Sequence, residues 1–199
     1  MNTRRHLLLP ALTLFWLACG SAETLPEDMS ARAHDKEAKK DQQASDSFRD
    51  DDAVREPGEK PSTRTTHFAL ASAYAQSAED HTAAAASLRA DEAAECGGEP
   101  VVALGTCPLM AYKVTAVEPT AEGVRVTYAG ADPDLLLREV RCHLAHGATQ
   151  GRKGLEPCPL YQKGLRATTS PTPGGAVLFL STDFPNVRKS LQSMYVQGE

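Results

Sequence analysis

The stretch "RCHLAH", residues 141 to 146, puts a thiol and two imidazoles within two turns of any helix it forms. On such a helix His143 and His146 stand one turn apart on a shared face, where both rings can reach one metal ion. His81, from an Ala-rich stretch upstream, offers a third imidazole. Three histidines would suit Zn or Cu in an exported protein. The motif has no HExxH, no CxxC pair and no acidic residue at ligand spacing. A bland reading stands beside the metal: His146, just before Gly147, is a cation near a helix C-terminus, favoured by the macrodipole. His143 would then cover a sheet edge.

Other chemistry finds less support. No GxSxG elbow, phosphate-binding loop or dinucleotide fingerprint occurs, and "GATQGRKG" lacks P-loop spacing and follows a helix rather than a strand. Ser87, Ser181 and Ser190 have no base beside them in sequence. Asp91 with Glu92 reads as a solvated helix face, and Asp132 with Asp134 as helix-start residues. No catalytic constellation emerges, and no basic face with interleaved aromatics invites nucleic acid.

The N-terminus reads as a targeting segment over residues 1–22. Arg4 and Arg5 form a basic region, and Leu7 to Ala18 is an apolar run broken by Pro10 and Thr13. Roughly a dozen apolar residues suit a signal-peptide core better than a membrane span. The run ends in "WLACGS", which resembles the lipobox of bacterial lipoproteins, with Trp16 where that family usually has Leu. The resemblance implies that Cys19 receives the lipid and becomes the new N-terminus. It implies a cell-envelope location and a membrane partner reached through that lipid. With Gly20 and Ser21 following and no Asp, the family's sorting pattern points to the outer membrane. Ordinary cleavage after Ala22 is the alternative. Thr3, Arg4, Arg5 and Leu8 also match a twin-arginine export signal.

Residues 23–66 mix both charge signs with Gln, Ser and Pro, a composition that predicts a disordered charged tether. Residues 67–199 are long enough for one domain with its own core. The formal net charge of −5 belongs partly to the tether.

The elements that must position the histidines come from a repeat. "CPLMAYKVTAVEPTAEGVRVTYAGAD" from Cys107 aligns without a gap on "CPLYQKGLRATTSPTPGGAVLFLSTD" from Cys158, with Gly123 on Gly174, Val126 on Val177, Tyr128 on Phe179 and Asp132 on Asp183. Each copy, 107–147 and 158–198, reads as a hairpin followed by a helix. Asp132-Pro133 caps the first helix, Leu136, Val140 and Leu144 form its apolar stripe, and Gly147 stops it. Val187, Leu191 and Met194 repeat that spacing. A further helix precedes them in "AEDHTAAAASLRADEAAEC". The fold class is α+β: duplicated ββα units giving a four-stranded antiparallel sheet packed with helices, preceded by a helix and stapled by disulfides. One sheet face should stay partly solvated.

With Cys19 set aside, Cys96, Cys107, Cys142 and Cys158 remain, an even set suited to two disulfides in an exported chain. If equivalent positions make equivalent bonds, the pairs are Cys96–Cys107 and Cys142–Cys158. The functional expectation is a non-enzymatic envelope protein that binds a protein or small ligand. The alternative is copper or zinc capture through His143, His146 and His81.

Overall fold

The computed structural model describes residues 29–53, 61–97, 107–151 and 158–196. Two helices, α1 (Ala31–Ala53) and α2 (Pro61–Cys96), form an antiparallel hairpin. The expected tether is thus corrected over Ala31–Ala53, which is helical. The composition misleads because the helix buries small side chains rather than large ones. Ala31, His34, Ala38, Ser45 and Phe48 recur at heptad spacing and face Ala71, Tyr74, Ala78, His81 and Ala85 of α2. Alanines let the two backbones approach closely. Ser45 Oγ then donates to the Ala71 carbonyl at 2.8 Å, and Ser77 Oγ to Asp41 at 2.6 Å.

The remainder is the α+β body that the repeat implies. Strands β1 (Lys113–Pro119), β2 (Gly123–Ala129), β3 (Arg166–Thr172) and β4 (Gly175–Ser181) form an antiparallel sheet in the order β1-β2-β4-β3. Each hairpin follows a 3-10 turn, Pro108–Met110 or Pro159–Tyr161, and precedes a helix, α3 (Pro133–Gln150) or α4 (Pro185–Val196). The two units exchange helices: α3 packs over β3 and β4, while α4 packs over β2 and β1. A pseudo-two-fold axis therefore passes between β2 and β4. Pro119 and Pro171 sit on the outer strands β1 and β3, where proline does not interrupt a central ladder.

The strand register departs by one residue from the gap-free alignment. Val124, Val126 and Tyr128 of β2 are buried, and their counterparts on β4 are Ala176, Leu178 and Leu180. Val126 thus corresponds to Leu178, not Val177. Gly123 lies 16 residues after Cys107 and Gly175 lies 17 after Cys158, so the second unit carries one residue more before its inner strand, and side chains in a strand change face with every such step. The glycines confirm the shift. A Cβ on Gly123 would meet the Leu180 carbonyl, and one on Gly175 would meet the Tyr128 carbonyl, the same contact seen from each side of the axis.

The inner sheet face packs on Leu136 and Val140 of α3 and Leu191 of α4, with Leu109 and Leu160 from the 3-10 turns. Burial pushes the Tyr128 phenol up to about 12, so this hydroxyl stays neutral in the core.

Helix α3 begins as its sequence requires: Asp132 Oδ1 accepts from the Asp134 and Leu135 amides at 3.0 and 2.8 Å, and Pro133 opens the first turn. Gly147 does not stop it. The helix runs on to Gln150 and ends at Gly151, whose φ of +84° favours glycine. Gly147 is instead a contact surface, since a Cβ there would lie 2.7 Å from Tyr161 Cδ1.

All four cysteines are in disulfides, but the partners differ from the expectation. The bonds are Cys96–Cys142 and Cys107–Cys158, with Cα–Cα distances of 4.6 and 5.4 Å. Cys107 and Cys158 are repeat equivalents, so their bond joins the two 3-10 turns across the pseudo-axis. Cys96 belongs to α2, outside the repeat, and its bond ties α2 to α3.

Candidate functional site

Helix α3 places "RCHLAH" between two neighbours, the sheet on one side and α2 on the other. Contacts descend the α2 interface turn by turn: Cys142 bonds Cys96, His146 Nδ1 meets Glu92 Oε1 at 2.7 Å, and the Thr149 hydroxyl donates to the Leu88 carbonyl at 3.2 Å. His143 turns toward the second unit, where its Nδ1 lies 3.0 Å from the Tyr161 hydroxyl. Burial, with the charge of His146 second, pushes the His143 imidazole down to about 4. Burial and then the Glu92 carboxylate hold the Tyr161 phenol above its ordinary range. A neutral imidazole and a neutral phenol thus share one hydrogen bond, whose direction follows the histidine tautomer.

This arrangement corrects the metal reading. His81 and Glu92 are eleven residues apart on α2, about 16 Å along the axis at 1.5 Å per residue, so His81 cannot join the other two. His81 Nδ1 faces His34 Nδ1 at 2.8 Å instead. His143 and His146 are committed to Tyr161 and Glu92. Among the described residues no group of three or more His, Cys, Asp or Glu is placed to hold a metal ion. The bland readings also need revision: His146 is held by a carboxylate within the helix, and His143 covers a tyrosine rather than a sheet edge. Glu92 is not solvated but shares the interface. Cys19 lies outside the described residues.

The candidate binding surface lies on the other side of the sheet. Both α3 and α4 pack on one face, and the opposite face carries a depression of about 320 Å³ lined by Arg125, Thr168, Thr169, Ser170, Val177 and Phe179. That volume falls at the lower end of the range for small-molecule sites, roughly 300–1,000 Å³. Phe179 and Val177 of β4 are half-buried and form an apolar floor. Arg125 of β2 projects beside them, and its contact with Glu118 is a distant 3.9 Å between two exposed side chains. Such a pair contributes little and leaves the guanidinium available. Thr168 and Ser170 of β3 add hydroxyls on the far side. Arg166 of the same strand is engaged by Asp183 through two hydrogen bonds at 2.6 and 2.8 Å.

Sequence reasoning anticipated an open face but not these residues. Aligning Phe179 with Tyr128 assigns it to the core, and the one-residue register shift moves it to the solvent side. The usable signal was Leu178 and Leu180, whose alternation with Val177 and Phe179 allows either face to be the buried one.

No protein-family model matches this chain, and neither a curated protein nor a solved structure matches it significantly. What the fold and the surface define is a disulfide-stapled α+β domain with one sheet face uncovered among the described residues. Among the described residues no helix is long and apolar enough to cross a membrane.

Proposed function

We propose that this protein is an exported, lipid-anchored envelope protein whose α+β domain binds a small amphiphilic anion on its open sheet face. The observation that carries the reading is the pairing of an apolar floor, Val177 and Phe179, with the available guanidinium of Arg125. An arginine fork matches a carboxylate or phosphate, and the hydroxyls of Thr168 and Ser170 can orient the rest of the ligand. Two disulfides suit an oxidising compartment, which supports export, and the lipobox-like "WLACGS" supplies the anchor.

Titration with an aromatic carboxylate, followed by backbone amide shifts, tests the binding. Shifts should appear on outward-facing residues of β2, β4 and β3, and Arg125→Gln should weaken affinity roughly tenfold, the value of about one charge-assisted hydrogen bond. Equal response to the uncharged amide analogue, or shifts spread over the helices, would refute the assignment. The anchor has its own test. Cys19→Ser should release the protein from membranes or leave the precursor uncleaved, and normal cleavage with unchanged retention would sink that part alone.

A further inference from the structure

The His34–His81 contact has no role in the binding face, and its chemistry is unusual for a helix seam. The rings come from different helices, both are buried, their centroids are 5.1 Å apart, and Nδ1 faces Nδ1 at 2.8 Å. An N–H···N hydrogen bond needs one donor and one acceptor. One of the two Nδ1 atoms therefore carries a hydrogen and the other does not. With both rings protonated, each Nδ1 carries a hydrogen, and two cations face each other N–H to N–H at hydrogen-bond distance.

The seam around the pair offers little to resist such a change. Its other buried members are mostly small: Ala31, Ala38, Ser45, Ala71, Ala78 and Ala85. Phe48, stacked on Tyr74, is the main large contact. No disulfide reaches α1, whereas Cys96–Cys142 ties α2 to the body. We propose that His34–His81 is a proton-released latch: it holds α1 on α2 near neutrality, and loading both imidazoles with protons detaches α1 while α2, α3 and the sheet stay folded.

Asp35 favours a charged His34, but it is engaged by Arg89 of α2. Glu37 interacts with His81, but it is bonded to Lys40 at 2.9 Å. Helix α3 approaches α1 where Gly151 meets Ser30, and no charge of α3 acts on His34. Burial first, and the neighbouring His81 second, hold the His34 imidazole below its ordinary value of 6.5. A depressed value means that the open hairpin binds protons more readily than the closed one. The latch therefore contributes fully above about 6.5 and weakens as the pH falls below it.

Hydrogen exchange on the full chain, corrected for intrinsic rates, tests the proposal between about pH 7.5 and pH 5. The lower limit stays above the titration of His143 at about 4. Protection across α1 should fall at least tenfold while amides of β2, β4 and α3 keep theirs. In the double variant His34→Ala, His81→Ala, the small-residue seam continues without the imidazoles, and α1 should be equally protected at both pH values. Three results would each overturn the latch: unchanged α1 protection in the wild type, the same loss in the double variant, or loss of the sheet together with α1.

Discussion

Replacing Cys107 and Cys158 together by serine should lower the unfolding free energy by about 4 kcal/mol, since the bond closes a loop of about 50 residues. The bond joins equivalent points on either side of the pseudo-axis, so its loss lets the two 3-10 turns separate. Leu109 and Leu160, which those turns insert into the core, lose their fixed position with it. Urea denaturation of the double variant measures the loss. Removing Cys96–Cys142 has a different signature despite a similar loop, with sequence separation 46. It frees α2 from α3 and should be read first in the α2 interface, at Glu92 and His146, with the sheet intact. The partners themselves are checked by non-reducing peptide mapping. Cys96 and Cys107 share a tryptic peptide, so a protease such as thermolysin, cutting near Val101 or Leu104, is needed to separate them. Recovery of a peptide joining Cys96 to Cys107 would overturn both assignments.

The cysteines also show why part of this fold could be read from sequence and part could not. The two ββα units, the antiparallel sheet and the Asp132 cap are local patterns: alternation, turn residues and a capping side chain within a few positions. They were legible because each signal and its consequence are neighbours in the chain. The disulfide partners depend on where α2 packs, which no local pattern specifies. The rule that equivalent cysteines make equivalent bonds fails here, because Cys107 and Cys158 bond each other across the axis and Cys96, outside the repeat, bonds Cys142.

Helix α1 was hidden for another reason. Its charged, Gln- and Ser-rich composition resembles a disordered segment, and only the spacing of Ala31, His34, Ala38, Ser45 and Phe48 marks a seam. Small side chains carry little weight in a reading that looks for large apolar ones, although they allow the closest helix approach. The histidines failed as a set because sequence gives their turn-by-turn spacing but not their neighbours. Tyr161 and Glu92, which engage His143 and His146, come from other elements. The binding face was obscured by a single residue of register.

That register gives the last prediction. Gly123→Ala and Gly175→Ala should each destabilise the protein by about 3 kcal/mol or more, and the two losses should agree within about 1 kcal/mol. At Gly123 the new Cβ would lie 1.9 Å from the Leu180 carbonyl oxygen, and at Gly175 it would lie 1.9 Å from the Tyr128 carbonyl oxygen. Both obstacles are backbone atoms of the central β2–β4 pair, so no rotamer change relieves them. The strands must part, and with them the ladder that joins the two units. Gly174 supplies the control. It is the residue that the gap-free repeat aligns with Gly123, yet a Cβ there meets nothing within 4 Å, and its φ is not positive. Gly174→Ala should therefore change stability by no more than about 0.5 kcal/mol. Urea denaturation of the three single variants decides between the two registers. Equal damage at Gly123 and Gly175 with a silent Gly174 supports the shifted one, whereas equal damage at Gly123 and Gly174 would restore the gap-free alignment and return Phe179 to the core.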